Sequence, residues 1–222
     1  MEKRISILIN PELMDYINKN IFPVYSNNDS AHNLDHINYV IRRSIMFATL
    51  IDDINYDMVY TVASYHDIGH YIDAKNHELV SGNILLNDEN LKKFFSEKQI
   101  KTMAEAVIDH RASLDHDPRS VYGKIVSSAD RNTSVDKVLE RTYAYRIKHN
   151  EDSDLDYIIN DSMKHIVDKF GNGGYATKKM YFEDPEYDKF LEDIQKLIAN
   201  KELFRQRYIE VNNIDETQKI LK

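Results

Sequence analysis

The chain has 222 residues and a mass of 26.1 kDa, enough for one sizeable domain or two small ones. With 30% charged and 42% hydrophobic residues it suits a folded soluble protein, and no apolar run comes near the roughly 18 residues of a membrane span. A balance of 37 acidic against 29 basic residues, net −8, argues against a surface that coats a nucleic-acid polymer, and the absence of cysteine removes disulfides, thiolate nucleophiles and Cys-held metals, so that any metal must be bound by His and carboxylates.

In chain order, Asn10 and Pro11 form an N-cap and first-turn pair that predicts a helix from about Pro11 to Asn20. Ile37, Val40, Ile41, Ile45, Ala48 and Ile51 recur at helical spacing and predict a second, from about Leu34 to Ile51. Val59, Val62 and Ala63 mark a third, stopped by Gly69, and a fourth is expected from Asn76 to about Leu86. Ser96 and Gln99 make a capping-box pattern ahead of a helix from about Glu97 to His110. Pro118 opens a helix through Ala129, and further helices are expected at about Ser134–Lys148, Leu155–Lys169 and Pro185–Leu203. With only 6 Gly and 4 Pro between long segments, the reading is all-α, a single domain with a core from about 29 to 138 and a C-terminal helical extension from about 139 to 222. The opening MEKRISILIN has too short an apolar core for a secretory signal, so a cytoplasmic protein with no membrane partner is expected.

A single buried histidine is usually a hydrogen-bonded core residue. The 9 histidines of this chain are placed in a way that departs from that. His66 continues the apolar face of Val59, Val62 and Ala63 and is followed at once by Asp67; His110 follows Met103 and Val107; His77 shares a stripe with Val80 and Ile84; Asp130 lies four residues after Val126. Burying such groups without partners costs several kcal/mol each, whereas a divalent cation satisfies them together. Imidazoles and carboxylates without sulfur suit Mn, Fe, Co, Zn or Ni better than Ca.

The motifs DHI (Asp35, His36, Ile37), HDIGH (His66, Asp67, Ile68, Gly69, His70) and Asp130 in SSADRN resemble the HD superfamily of metal-dependent phosphohydrolases over about Asp29 to Val138. The resemblance implies an HD-domain helical bundle in which His36, His66, Asp67 and Asp130 hold one metal. Members with two metals add two histidines, for which His77 and His110 stand in the expected places, with Asp67 bridging two ions per chain. His32 rivals His36, four residues before it in HNLDH, but His36 lies inside the apolar pattern. Only Glu78 stands where some nucleotide-cleaving members carry a Glu-Asp pair, which speaks against guanosine-tetraphosphate hydrolysis; no GYP element follows HDIG, which speaks against cyclic-dinucleotide cleavage.

The implied chemistry is hydrolysis of a phosphate ester or anhydride of a small anionic substrate, a nucleotide first among them, by water activated on the metal. Arg111 and Arg131, beside His110 and Asp130, are the expected cations for the developing phosphoryl charge, ahead of Lys124 and Arg119, and His70 is a candidate proton donor to the leaving group. The loop Gly171–Asp184, with Tyr175, Lys178, Lys179 and Tyr181, reads as a solvated linker before a lid. Two rival readings stand beside the hydrolase: a nucleotide-sensing binding module without turnover, and an HD-type di-iron oxygenase. The sequence leaves the oligomeric state open, a homo-oligomer included.

Overall fold

The structure, a computed structural model, describes residues 8–29, 32–149, 153–177 and 180–215. Among the described residues every regular element is helical, which makes the fold all-α, and no helix is long and apolar enough to cross a membrane. The helices gather into two compact units, Met1–Arg131 and Asn132–Lys222.

The first unit holds α1 (Pro11–Asn20), α2 (Leu34–Ala48), α3 (Tyr56–Tyr65), α4 (His77–Leu86), α5 (Glu97–Ile108) and α6 (Val121–Ala129), with 3-10 turns at Phe22–Asn27 and Glu89–Lys93. Starts are fixed by side-chain caps. Asn10 accepts from Glu12 N, Asn33 from His36 N, and Asn55 from Met58 N. Both halves of the Ser96–Gln99 capping box form at α5, satisfying amides that a helix start leaves without partners. α3 packs against α2, α5 and α6, α2 against α6, and α4 along α5. Ile37, Val40, Phe47, Val62, Leu85, Met103, Val107 and Ile125 are buried there. Burial of aliphatic or aromatic side chains of this size contributes roughly 1.5–3 kcal/mol each.

The second unit holds α7 (Val135–His149), α8 (Leu155–Phe170), α9 (Pro185–Ile198) and α10 (Lys201–Val211), with a 3-10 turn at Tyr175–Thr177. Ile158, Ile166, Phe170, Tyr187, Phe190, Ile194, Phe204 and Tyr208 form its core. The Tyr208 and Ser162 hydroxyls, 2.7 Å apart, pair inside it.

Several expected boundaries are corrected, among them the ends of α2 at Ala48 and of α5 at Ile108. The helix expected from Pro118 starts at Val121, because Ser120 Oγ accepts from Gly123 N as the N-cap, while Pro118 is buried in the preceding loop. The helix expected over Pro185–Leu203 is two helices. The Asn200 side chain accepts from Leu203 N and starts α10, a break that an unbroken apolar pattern conceals.

Candidate metal centre

α3 ends at Tyr65, and the chain turns through His66, Asp67 and Gly69. Gly69 N–H donates to Ser81 Oγ on α4 at 2.9 Å. A Cβ on Gly69 would sit 2.6 Å from Val80 Cγ1 and 2.8 Å from Ser81 N, so only glycine lets α4 approach this closely. That approach brings His77, the first residue of α4, to face the turn. Asn28 Nδ2 fastens the turn from the other side, donating to the carbonyls of Asp67 and His32, both at 3.0 Å. The buried Tyr25 hydroxyl donates to Ser64 O at 2.8 Å.

Six side chains converge on this turn. Asp67 Oδ2 lies 3.4 Å from His36 Nε2 and 3.3 Å from His66 Nε2, and these two nitrogens are 3.4 Å apart. Asp130 Oδ1 completes that side, 3.2 Å from His36 Nε2. On the other side Asp67 Oδ1 lies 3.3 Å from His77 Nε2 and 3.5 Å from His110 Nε2, and those nitrogens are 3.3 Å apart. The sets His36, His66, Asp67 and Asp67, His77, His110 are each grouped so that they could hold a metal ion.

Two observations fit these sets to divalent cations. Asp67, 2% exposed, buries its Oδ1 with no hydrogen-bond partner, a costly arrangement for a carboxylate unless a cation meets it. Moreover, most of these separations exceed the 2.7–3.2 Å of hydrogen bonds, whereas atoms at about 2.0–2.2 Å from one tetrahedral cation lie about 3.3–3.6 Å apart. A third set, Asp29, His32 and His70, is built differently. There His32 Nδ1 and Asp29 Oδ1 are at 2.7 Å, an ordinary charge-assisted hydrogen bond, and the His32 and His70 rings stack with centroids 3.7 Å apart.

The backbone orients the imidazoles. His66 Nδ1 lies 2.8 Å from Ala63 O, His77 Nδ1 3.1 Å from Ala74 O, and His110 Nδ1 2.6 Å from Val107 O. Each carbonyl takes an Nδ1–H and so assigns the Nε2 lone pair to the centre, the outer-shell arrangement common among metal-ligating histidines. His66 and Asp130 are the C-caps of α3 and α6, and His110 stands two residues past the end of α5. Three negative helix ends thus meet at one place, each favouring a cation by about 0.3–1 kcal/mol.

Charge follows the same layout. Burial opposes a charge on His36, yet hydrogen bonds to Asp130 and Asp67 outweigh it and raise its pKa to about 9. His66, against the same penalty of burial, is raised by Asp67 beside it, whereas His77 is lowered to about 4 by burial and by His110. Despite burial, the facing imidazoles hold the Asp67 and Asp130 carboxyls well below the usual carboxylate range. In metal-free protein His36 therefore keeps its proton at neutral pH, and an ion held there would have to displace it. Ion binding is expected to release protons and to tighten as pH rises from 6 towards 9. Calorimetric titration with Mn²⁺ in buffers of different ionisation enthalpy measures the release directly; identical heats in all of them would refute proton displacement.

The remaining expected residues are placed as follows. Arg131 is 4% exposed, and its Nε and Nη1 are buried without hydrogen-bond partners, while its carbonyl accepts from Tyr39 Oη at 2.9 Å. Arg111 is joined to Glu78 at 3.1 Å. Arg119 is taken up by Asp109, which is fully buried and accepts from its backbone N at 2.8 Å, Nε at 2.9 Å and Nη2 at 2.7 Å. Lys124 is half-buried on α6. His70 stacks on His32 and its ring centroid also lies 5.3 Å from that of His77, and burial followed by the His32 charge lowers its pKa. Tyr175 and Tyr181 belong to the second unit, and Lys178 and Lys179 lie outside the described residues. Sequence reasoning missed Asn28, Tyr25 and Asp109, whose partners are distant in sequence or are backbone carbonyls, neither of which leaves a local signature.

Comparison of the chain with models of known families, with characterised proteins and with solved structures gave no match.

Proposed function

We propose that the chain is an HD-type metal-dependent phosphohydrolase that holds two divalent transition-metal ions and cleaves a phosphate ester or anhydride of a small anionic substrate, a nucleotide in first place. The observation that carries this reading is Asp67, whose two carboxylate oxygens face separate imidazole pairs at 3.3–3.5 Å. His36, His66 and Asp130 would complete one ion's ligands, and His77 and His110 the other's. When bound, paired ions of this kind polarise a phosphoryl oxygen and lower the pKa of water at neutral pH.

The chain's own residues supply the rest. The carbonyls of Ala63, Ala74 and Val107 keep the Nδ1 protons of His66, His77 and His110, so these rings offer lone pairs inward without rearrangement. Arg131 brings a buried guanidinium whose Nε and Nη1 have no acceptor, next in sequence to Asp130. An uncompensated buried charge costs several kcal/mol, which an arriving phosphoryl anion offsets. Arg131 thereby binds the substrate's phosphoryl oxygens and steadies charge that grows on them.

The test is a screen of nucleotides and phosphate esters with chelator-treated protein, before and after Mn²⁺, Co²⁺ or Fe²⁺ is restored. Hydrolysis that vanishes with chelator and returns with metal is expected, as is a fall of about 100-fold in kcat for Arg131→Ala at unchanged metal content. Turnover in metal-free protein overturns the mechanism, and unchanged kinetics in the variant removes Arg131 from it. Tight nucleotide binding without product would favour a sensor. Substrate-dependent oxygen uptake by the iron-loaded protein would favour an oxygenase.

A further inference from the structure

The side chains flanking the second histidine pair are tied to one another across two helices. Arg111 Nη1 donates to Glu78 Oε1 and Oε2 at 3.2 and 3.1 Å and to Lys75 O at 2.9 Å. Glu78 directly follows His77, Lys75 precedes it by two residues, and Arg111 directly follows His110. One guanidinium thus brackets His77 on both sides while its own backbone carries His110. Glu78 Oε2 also comes within 3.8 Å of His77 Nδ1. The Glu78 side chain is 16% exposed and that of Arg111 37%. His77 and His110 belong to the ends of different helices, α4 and α5, and their Nε2 atoms must stay near the observed 3.3 Å for one ion to reach both. His36, His66 and Asp130 have no comparable link to Glu78 or Arg111 among the described residues.

We infer that Glu78 and Arg111 are positioning residues that hold His77 and His110 in register, so that this ion pair sets the affinity of the second metal site and leaves the first unaffected. The inference rests on the two-ion reading of the centre. It also changes the expected part of Arg111. With its Nη1 committed to Glu78 and to the Lys75 carbonyl, Arg111 acts on the second histidine pair, and the phosphoryl charge is left to Arg131.

The deciding experiment is equilibrium dialysis of chelator-stripped full-length protein against Co²⁺, with the visible absorption of the bound ion recorded at each step. Wild type is compared with Glu78→Ala, Arg111→Ala and the double variant, and circular dichroism verifies that each is folded. Two ions are expected in wild type. Each single variant should keep the first ion at wild-type affinity and bind the second about 10- to 100-fold more weakly, the range for loss of an outer partner of a metal ligand. The double variant should lose no more than either single one, because the two residues act as one tie. Two ions at wild-type affinity in both single variants overturns the tie and leaves the two-ion reading standing. One ion in wild type overturns that reading, and the inference with it. Loss of both ions from folded single variants overturns the selectivity claimed for the pair.

Discussion

On the two-ion hydrolase reading proposed above, replacing Asp67 with alanine is expected to release both ions and to abolish turnover, a loss beyond the roughly 10- to 100-fold typical when only an outer partner of a metal ligand is removed. The reason is positional. Oδ2 lies 3.4 and 3.3 Å from His36 and His66, and Oδ1 lies 3.3 and 3.5 Å from His77 and His110, so one truncation takes a donor from both groups. It also leaves Asp130 as the remaining carboxylate on the Nε2 side of the imidazoles among the described residues, and Asp130 reaches His36 and His66, at 3.2 and 4.0 Å. His110→Ala is the contrasting case. It removes a donor from one group alone and is expected to leave the ion at His36, His66 and Asp130 in place. Metal analysis of the two purified variants separates these outcomes, and an Asp67→Ala protein that retains two ions per chain would remove the bridging role.

A large stability effect away from the centre is expected at Asp88. Its Oδ2 accepts from Tyr16 Oη at 2.5 Å and from Tyr65 Oη at 2.6 Å, and its Oδ1 accepts from Asn90 N at the start of the second 3-10 turn. Burial, and then the bond to Asp88, push the Tyr16 hydroxyl up to about 12 and that of Tyr65 further still, so both phenols remain donors at any physiological pH. Asp88→Ala leaves two phenols without an acceptor, that of Tyr65 inside the core, at a cost of about 2–3 kcal/mol. For a chain of this size that is roughly 4–12 °C in Tm. Asp88→Asn keeps an acceptor oxygen and should lose less. Thermal unfolding of both, at unchanged metal content, tests this, and equal losses would show that the charge matters and not the acceptor.

The helical fold was legible because its signals are local. Asn10 with Pro11 and Ser96 with Gln99 act within one turn, and the helices they announce begin at Pro11 and Glu97. The break before α10 was not legible, since residues on either side of Asn200 carry one apolar pattern and only the cap distinguishes them. His66, His77 and His110 stood out as imidazoles on apolar faces. Their manner of presentation did not, for His110 lies beyond the end of α5 and points inward because Val107 O holds its ring. The pairings that shape the surroundings of the centre, Asn28 with the Asp67 carbonyl and Glu78 with Arg111, join residues 39 and 33 positions apart, and no periodicity encodes them. Arg111 and Arg131 look alike in sequence, each following an expected ligand. They differ in the fold because a carboxylate reaches Arg111, which is partly exposed, whereas Arg131 is buried and its Nε and Nη1 meet none.

The meeting of three helix ends at the centre has a consequence for the abundance of the protein in a cell. The C-termini of α3, α5 and α6 bring their partial negative charges towards Asp67 and Asp130, so the folded first unit concentrates negative potential at a place that the unfolded chain does not possess. An ion that binds only the folded chain adds about 2.7 kcal/mol at a hundred times its dissociation constant, and less as it becomes scarce. Metal supply would then govern not only how fast the protein works but how much of it escapes proteolysis, and starvation for the ion would thin the population before it slowed any single molecule.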